Sequence, residues 1–336
     1  MGIDQVIVSR APVRFSLGGG GTDLPSYSSV HGGFLVAAAI DKYIYVSANR
    51  RFYDSIRLAY SRTEIVDSVD QIDHRIFREA LRFSGIAQGI ELTSTADCPP
   101  NSGLGSSSTF TVALLNALHT YKHEYVSSLQ LAQEACKIEI DVLKQPIGKQ
   151  DQFIAAYGGI TAFTFNTDGS VEVERVPTRP EVLAELESNL LIFYSGVERE
   201  ATSVLSKQGQ NIQSNTDSAV ERMHRIKELG YETRRILIRG NIDSYGELLH
   251  EHWTNKRKLA SNMSDPTIDE HYEAARAAGA IGGKLMGAGG GGFFMFYTAP
   301  AERRRVYAAL VARGLRPLPF RFDTGGARII ANLRQL

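Results

Sequence analysis

Apolar residues recur along the chain with a period near two in some stretches and near 3.6 in others, and the changes divide it into elements. Val6-Ile7-Val8 and Ile44-Tyr45-Val46 have the β-branched and aromatic content of strands, while Ile90-Glu91-Leu92-Thr93-Ser94 alternates toward the Pro99-Pro100 pair that ends it. Helical spacing follows. Between Phe110 and Leu118 apolar side chains stand at 110, 114, 115 and 118; between Leu129 and Leu143 apolar or small ones stand at 129, 132, 136, 140 and 143, with Ser127 or Ser128 as N-cap. The stretch 166–187 carries a turn signal, a short polar-alternating strand and two prolines, which predicts a boundary near 185 and domains at 1–185 and 186–336. Beyond it, residues 190–194 predict a strand, 216–238, 243–259 and 268–278 predict helices, and 281–297 predict a strand pair around a run of glycines. That alternation predicts an α+β second lobe.

The bulk properties narrow the classes of partner. With 336 residues, 43% of them apolar, the chain can fill substantial cores. Lys plus Arg and Asp plus Glu are both 37, so no net field favours nucleic acid or an anionic membrane, and any anion site must be local. Two cysteines, Cys98 and Cys136, are too few for a disulfide framework or a four-cysteine metal site, and a reducing cytoplasm is the expected home. The apolar start Val6-Ile7-Val8 is too short for a signal segment, and Val6 stands where a myristoylation motif needs Ser or Thr. The longest fully apolar run, 34–40, is far below the roughly 20 residues of a membrane span.

Two glycine-rich stretches carry candidate chemistry. Gly287 to Gly292 satisfy G-x-G-x-x-G, a pattern that marks dinucleotide sites when a helix follows, because the pyrophosphate rests on that helix's N-terminus. Here Phe293-Phe294-Met295-Phe296-Tyr297 follows, a run of strand character, so the dinucleotide reading loses its physical basis. The second stretch is "PPNSGLGSSSTFTVALLNAL", 99–118, in which two prolines end a strand, Gly103 and Gly105 allow a tight turn, and three serines precede an apolar helix. Unpaired N–H groups and the positive end of a helix dipole suit a polyphosphate, although a Ser-rich cap serving only the helix would look the same. No Walker A pattern occurs, since Gly148-Lys149 is followed by Gln150.

Three signatures in order, "RAPVRFSLGGGGTDLP" (10–25), "PPNSGLGSSS" (99–108) and "KLMGAGGGGFF" (284–294), resemble those of the GHMP kinases, the superfamily of galactokinase, homoserine kinase and mevalonate kinase. The resemblance spans essentially the whole chain. It implies an α/β N-terminal lobe and a ferredoxin-like C-terminal lobe, with the active site in the cleft between them and ATP and Mg²⁺ as cofactors. It assigns Pro100, Asn101, Ser102, Gly103, Leu104, Gly105, Ser106, Ser107 and Ser108 to ATP. Glu139 stands at i+3 from Cys136 and i−4 from Leu143, a carboxylate on the stripe that should face the core. Buried charge is costly unless paired or metal-bound, so this residue either snorkels at the stripe's edge or has a ligand. The resemblance makes Glu139 and Ser107 the Mg²⁺ ligands. Asp151, in the loop-like "PIGKQDQ", reads from sequence alone as a cap or turn former. The resemblance makes it the base that takes the acceptor's proton, with Arg14 beside it.

The first motif bears on the acceptor. Galactokinases read Gly-Glu-His-Thr-Asp, and this chain reads Gly19-Gly20-Gly21-Thr22-Asp23, which retains Thr22 and Asp23 but deletes two bulky side chains. That pattern, with His31-Gly32-Gly33 and "PIGKQDQ", resembles the D-glycero-D-manno-heptose 7-phosphate kinases, and implies phosphorylation of the anomeric oxygen to a 1,7-bisphosphate for nucleotide-activated heptose. Expected substrate contacts are Gly20, Gly21, Thr22, Asp23, His31, Lys149, Gly287, Gly289 and Gly290. For a distal phosphate the sequence offers Lys149, Lys42, Lys144 and several arginines; Lys149 is favoured only by standing two residues from Asp151, and a solvated loop lysine would look the same. His252 and Trp253 are better explained by packing on an amphipathic helix. Partners are then a sugar phosphate and ATP, neither nucleic acid nor membrane, with a homodimer left open. A 1-kinase for fucose or galactose and a catalytically silent sensor on the same fold are the competing readings.

Overall fold

The computed structural model describes residues 5–197, 201–214, 217–259 and 264–334. Seven strands of the first half, β1 (Gln5–Gly18), β2 (Gly33–Arg50), β3 (Ile56–Ala59), β4 (Thr63–Val66), β5 (Ile90–Ala96), β6 (Ile160–Phe165) and β7 (Val171–Arg175), belong to one sheet. β2 is long enough to pair twice on one edge, with β6 through 33–38 and with β5 through 44–50. The apolar run 34–40 forms its first half, buried on both faces, which explains why it lacks alternation. The expected strands at 6–8 and 44–46 are therefore fragments of β1 and β2.

A second, antiparallel sheet contains β8 (Leu190–Tyr194), β9 (Ala280–Leu285), β10 (Phe293–Thr298) and β11 (Arg316–Pro317) in the order β11-β8-β10-β9. Helices occupy the connection from β8 to β9 and that from β10 to β11, so the lobe has the βαββαβ order and ferredoxin-like sheet expected for it. Its core gathers Phe193, Trp253, Tyr272, Phe294 and Phe296. The chain then crosses back: β12 (Arg328–Arg334) pairs antiparallel with β1 on the edge of the first sheet. Residue 185, where the sequence predicts a boundary, falls inside helix Pro180–Asn189, between β7 and β8.

Several helices match the spacing. Ser106–Tyr121 covers 110–118, Tyr245–Lys256 falls within 243–259, and Pro266–Ala277 starts on the cap Asp265, whose carboxylate accepts from Ile268 N. The helix expected over 216–238 is Asp217–Arg239; Thr216 lies outside the described residues. The helix expected over 129–143 starts on Ser127 but changes character: Ser128–Cys136 is α-helical and Lys137–Val142 is a π-helical turn. Leu129 is exposed rather than on the core stripe. Helix Pro180–Asn189 and the edge strand β12 were not expected from the sequence.

Candidate active site

β1 carries Arg14 from the first motif into the interior, and the start of helix Gln150–Tyr157 carries Asp151 to meet it. Asp151 thus occupies the first turn of a helix and not the loop its flanking Pro and Gly suggest. Arg14 Nε donates to Asp151 Oδ1 at 2.7 Å and Nη2 to Oδ2 at 2.9 Å, a two-pronged pair with Arg14 only 3% exposed. Its third nitrogen, Nη1, donates to the Gly103 carbonyl at 2.5 Å, and its backbone N–H donates to the Leu104 carbonyl at 3.2 Å. One arginine therefore locks the candidate base against the candidate nucleotide loop.

That loop turns at Gly105, whose φ of 77° lies in the left-handed region, and releases helix Ser106–Tyr121 toward the same cavity. A Cβ at Gly105 would stand 2.8 Å from Asp151 Oδ2, so both conformation and space require glycine. Asp23, 4% exposed after β1, accepts the Gln150 N–H at 3.1 Å. Burial raises its carboxyl from 3.8 to about 6; the Gln150 bond opposes this and the charge of Asp151 adds to it.

Glu139 sits on the π-turn, fully buried. Ser107 Oγ donates to its Oε1 at 2.8 Å and Gln152 Nε2 to its Oε2 at 2.7 Å. Burial raises this carboxyl from 4.5 to about 7, against the lowering effect of bonds from Ser108, Ser107 and Gln152. A buried carboxylate beside two serines and the Gln152 Oε1, which has no described partner, is an all-oxygen donor set of the kind Mg²⁺ accepts with waters and phosphates. Among the described residues no cluster of three or more His, Cys, Asp or Glu could hold a metal alone. The residues therefore fit a cation shared with a polyphosphate.

A cavity of about 430 Å³ joins these groups. Arg14, Asp23, Gly20, Gly21, Asp151 and the loop 101–103 with 105–108 line its first-lobe side; Gly287, Ala288, Gly289 and Gly291 close it from the second lobe. The two glycine loops touch: a Cβ on Gly103 would come 2.7 Å from the Met286 carbonyl oxygen, and a Cβ on Gly287 would come 2.5 Å from Gly103 Cα. Beside the cavity lies a second, apolar one of about 250 Å³, walled by Tyr60, His74, Phe77, Cys98, Pro100 and Phe110.

Some expected contacts lie elsewhere. Thr22 is fully buried with its hydroxyl on the Gly19 and Phe34 carbonyls at 2.8 and 2.9 Å, so it closes the turn after β1. Leu104 packs in the first-lobe core, Pro100 lines only the apolar cavity, and Gly290 is not among the cleft's lining residues. His31 meets Tyr27 at a tilt and His224 edge-on, at ring distances of 5.1 and 4.8 Å, away from the cleft. Lys149 caps helix Gln150–Tyr157 and donates to the Gly169 carbonyl at 2.6 Å, outside the cavity lining; Lys42 pairs with Asp41 at 2.8 Å. Trp253 packs in the second core as expected, whereas its neighbour His252 lines the cleft. Lys256 and Lys284 also line it, and sequence reasoning missed both. Lys284 opens the third motif, and its place next to the glycines was the available signal.

Comparison with known proteins agrees with this geometry. Residues 71–159 match the family "GHMP kinases N terminal domain" and 233–315 match "GHMP kinases C terminal", together about half of the chain. A D-glycero-alpha-D-manno-heptose 7-phosphate kinase of Campylobacter jejuni is 26% identical over 321 residues, covering 91% of this chain and 93% of that one. An L-fucokinase/L-fucose-1-P guanylyltransferase of Bacteroides fragilis is 25% identical over 352 residues, covering 94% of this chain and 37% of that one. The crystal structure of a D-glycero-D-manno-heptose 1-phosphate kinase of Bacteroides thetaiotaomicron superposes with a TM-score of 0.81 at 26% identity, over 97% of this chain and 99% of that one. With both lobes matched and both glycine loops meeting over one cleft, the chain belongs to the GHMP kinases.

Proposed function

We propose that the chain transfers the γ-phosphoryl group of ATP to the anomeric hydroxyl of D-glycero-D-manno-heptose 7-phosphate, giving the 1,7-bisphosphate. The observation that carries this reading is the Arg14–Asp151 pair fixed against the nucleotide loop, with Asp23 in the same cavity. The heptose kinases among the relatives support the sugar, and Gly20 and Gly21 line the cavity without placing a side chain in it.

Phosphoryl transfer depends mainly on positioning and on stabilising charge over the phosphoryl oxygens. The N–H groups at the start of helix Ser106–Tyr121 face the triphosphate, and the neighbouring apolar cavity between Tyr60, His74 and Phe110 suits a purine ring. Asp23 accepts hydroxyls of the sugar and orients it. Asp151 takes the proton of the anomeric hydroxyl; the freed oxygen bonds to the γ-phosphorus, and the bond to the β,γ-bridging oxygen breaks, leaving its electron pair on ADP. Arg14 holds both carboxylate oxygens of Asp151, which fixes the base without a search of rotamers. Glu139 and Ser107 would hold Mg²⁺, which supplies charge neutralisation on the phosphates when bound.

A coupled assay of ADP release with heptose 7-phosphate, L-fucose and galactose tests the reading. Turnover with the heptose phosphate at a kcat/KM well above the other two is expected. Preference for fucose would place the chain with the fucokinase relatives, and silence with all three would sink the kinase assignment.

A further inference from the structure

The second-lobe wall of the cleft holds two lysines and a histidine that the mechanism above does not use. His252 and Lys256 stand four residues apart on one face of helix Tyr245–Lys256, and Lys284 lies on β9 opposite them. The helix seats closely on that strand, since a Cβ on Gly282 would strike the Gly246 carbonyl and a Cβ on Gly246 would come 2.7 Å from Ile281 Cβ. His252, Lys256 and Lys284 are 2, 6 and 2% exposed, and all three line the cavity.

Their hydrogen bonding is incomplete. Lys256 donates to the Gly287 carbonyl, but Lys284 Nζ and both ring nitrogens of His252 have no partner among the described residues. A buried lysine nitrogen without a hydrogen-bond partner is costly, and an anion entering the cavity would both pair it and restore its charge. Burial pushes Lys284 well below its ordinary range, with Lys256 and Arg14 adding to the effect, and lowers Lys256 to about 8. The charges acting on Lys256 are Arg14, Asp23 and Asp151, which places it at the acceptor end of the cleft. Arg14 is already matched by Asp151. Arg75 and Lys144, beside Leu143 and the serine loop, remain for the nucleotide's own phosphates.

We propose that Lys284, Lys256 and His252 form a phosphate-monoester site that holds the phosphate the sugar already carries. The proposal rests on the reading that the acceptor is a sugar phosphate. Two lysines match a dianion of about −2, and a phosphate there would give Lys284 Nζ and one ring nitrogen of His252 the partner each lacks.

Two measurements on the full chain test it. In steady-state kinetics, Lys284→Met should raise KM for heptose 7-phosphate about 30-fold or more, as for other buried charge pairs, while KM for ATP and kcat/KM for the unphosphorylated heptose stay within about twofold. In calorimetry without nucleotide, the wild type should bind inorganic phosphate and the variant should not. A variant whose KM rises for ATP instead would give the cluster to the nucleotide and overturn the proposal; so would equal loss with both sugars, or phosphate binding that ignores Lys284. A wild type that binds phosphate through Lys284 yet turns over only unphosphorylated sugars would sink the heptose 7-phosphate reading and leave the anion site standing. Thermal melting confirms that Lys284→Met folds, and Lys256→Met, tested alongside, should shift the same constant.

Discussion

The two walls of the cleft treat buried charge in opposite ways. On the first-lobe side each charged group has a partner from another element: Arg14 with Asp151, Glu139 with Ser107 and Gln152, Asp23 with the Gln150 N–H. On the second-lobe side Lys284 and His252 have none among the described residues, and Lys256 has a single carbonyl. A wall with its bonds made holds fixed geometry before substrate arrives, which is what proton abstraction and phosphoryl transfer require. A wall with idle buried nitrogens lowers the stability of the empty protein and returns that free energy when an anion enters. On the proposed reading, the chemistry falls to one lobe and recognition of the sugar's phosphate to the other, and the two meet at Gly103 and Gly287.

Removing the paired side's base should give the largest effect. Asp151→Asn keeps the shape but not the proton acceptor, and kcat should fall about 100- to 10,000-fold with KM for ATP unchanged. Near-normal turnover would take Asp151 out of the proton's path and leave positioning alone as the first lobe's contribution.

Asp23→Asn should be gentler and should expose the cost of burial. The carboxyl is raised from 3.8 to about 6 in the folded protein, so its ionisation opposes folding fully above pH 6 and not at all below pH 3.8. The amide should therefore stabilise the protein by on the order of 2–3 kcal/mol at pH 8, and the gain should shrink as pH falls from 6 toward 4. KM for the sugar should rise in the same variant. Denaturant titrations showing a gain independent of pH would mean that Asp23 is not desolvated as described.

A third effect, about tenfold per pH unit, should mark the second wall. Lys256 faces Arg14 from β1, Asp23 from the turn after it, Asp151 from its helix, and Lys284 and His252 on its own side; burial leaves it titrating at about 8. It can receive a dianion as a cation only below that pH. Accordingly, kcat/KM for the sugar phosphate should decline above about pH 8, and kcat/KM for the unphosphorylated heptose should not. Parallel profiles for the two sugars would place the titrating group in the shared chemistry instead.

The first wall was far more legible in sequence than the second. Its residues fall in contiguous motifs whose local physics is short-range: prolines ending a strand, glycines turning it, serines at a helix start, and Glu139 violating an apolar stripe. Lys256 and Lys284 are 28 positions apart and meet only because glycines let a helix sit on a strand, which no periodicity reports. His252 next to Trp253 read as packing, and for Trp253 that is so. The return of β12 to β1 and the π-turn at 137–142 are likewise tertiary outcomes, since a strand's partner and one extra residue in a helical turn leave no hydrophobic signature. The proline and glycine that flank Asp151 suggest a loop, yet Lys149 caps a helix there.

Lys149 offers the smallest effect and the sharpest contrast between proximity in sequence and proximity in space. It stands two residues from Asp151, but its ammonium donates to Gly169 at 2.6 Å and lies outside the cavity lining, whereas Lys284, 133 positions from Asp151, shares that lining with it. A half-buried lysine whose bond to a backbone carbonyl is open to solvent contributes little, so Lys149→Ala should change stability by less than about 1 kcal/mol and KM for heptose 7-phosphate by less than about twofold. Run beside Lys284→Met on the same substrate, it separates a cation that is merely near the motif from one that faces the ligand. A large rise in KM for Lys149→Ala would move the phosphate across the cleft to the first lobe, and the division of labour between the walls would fall with it.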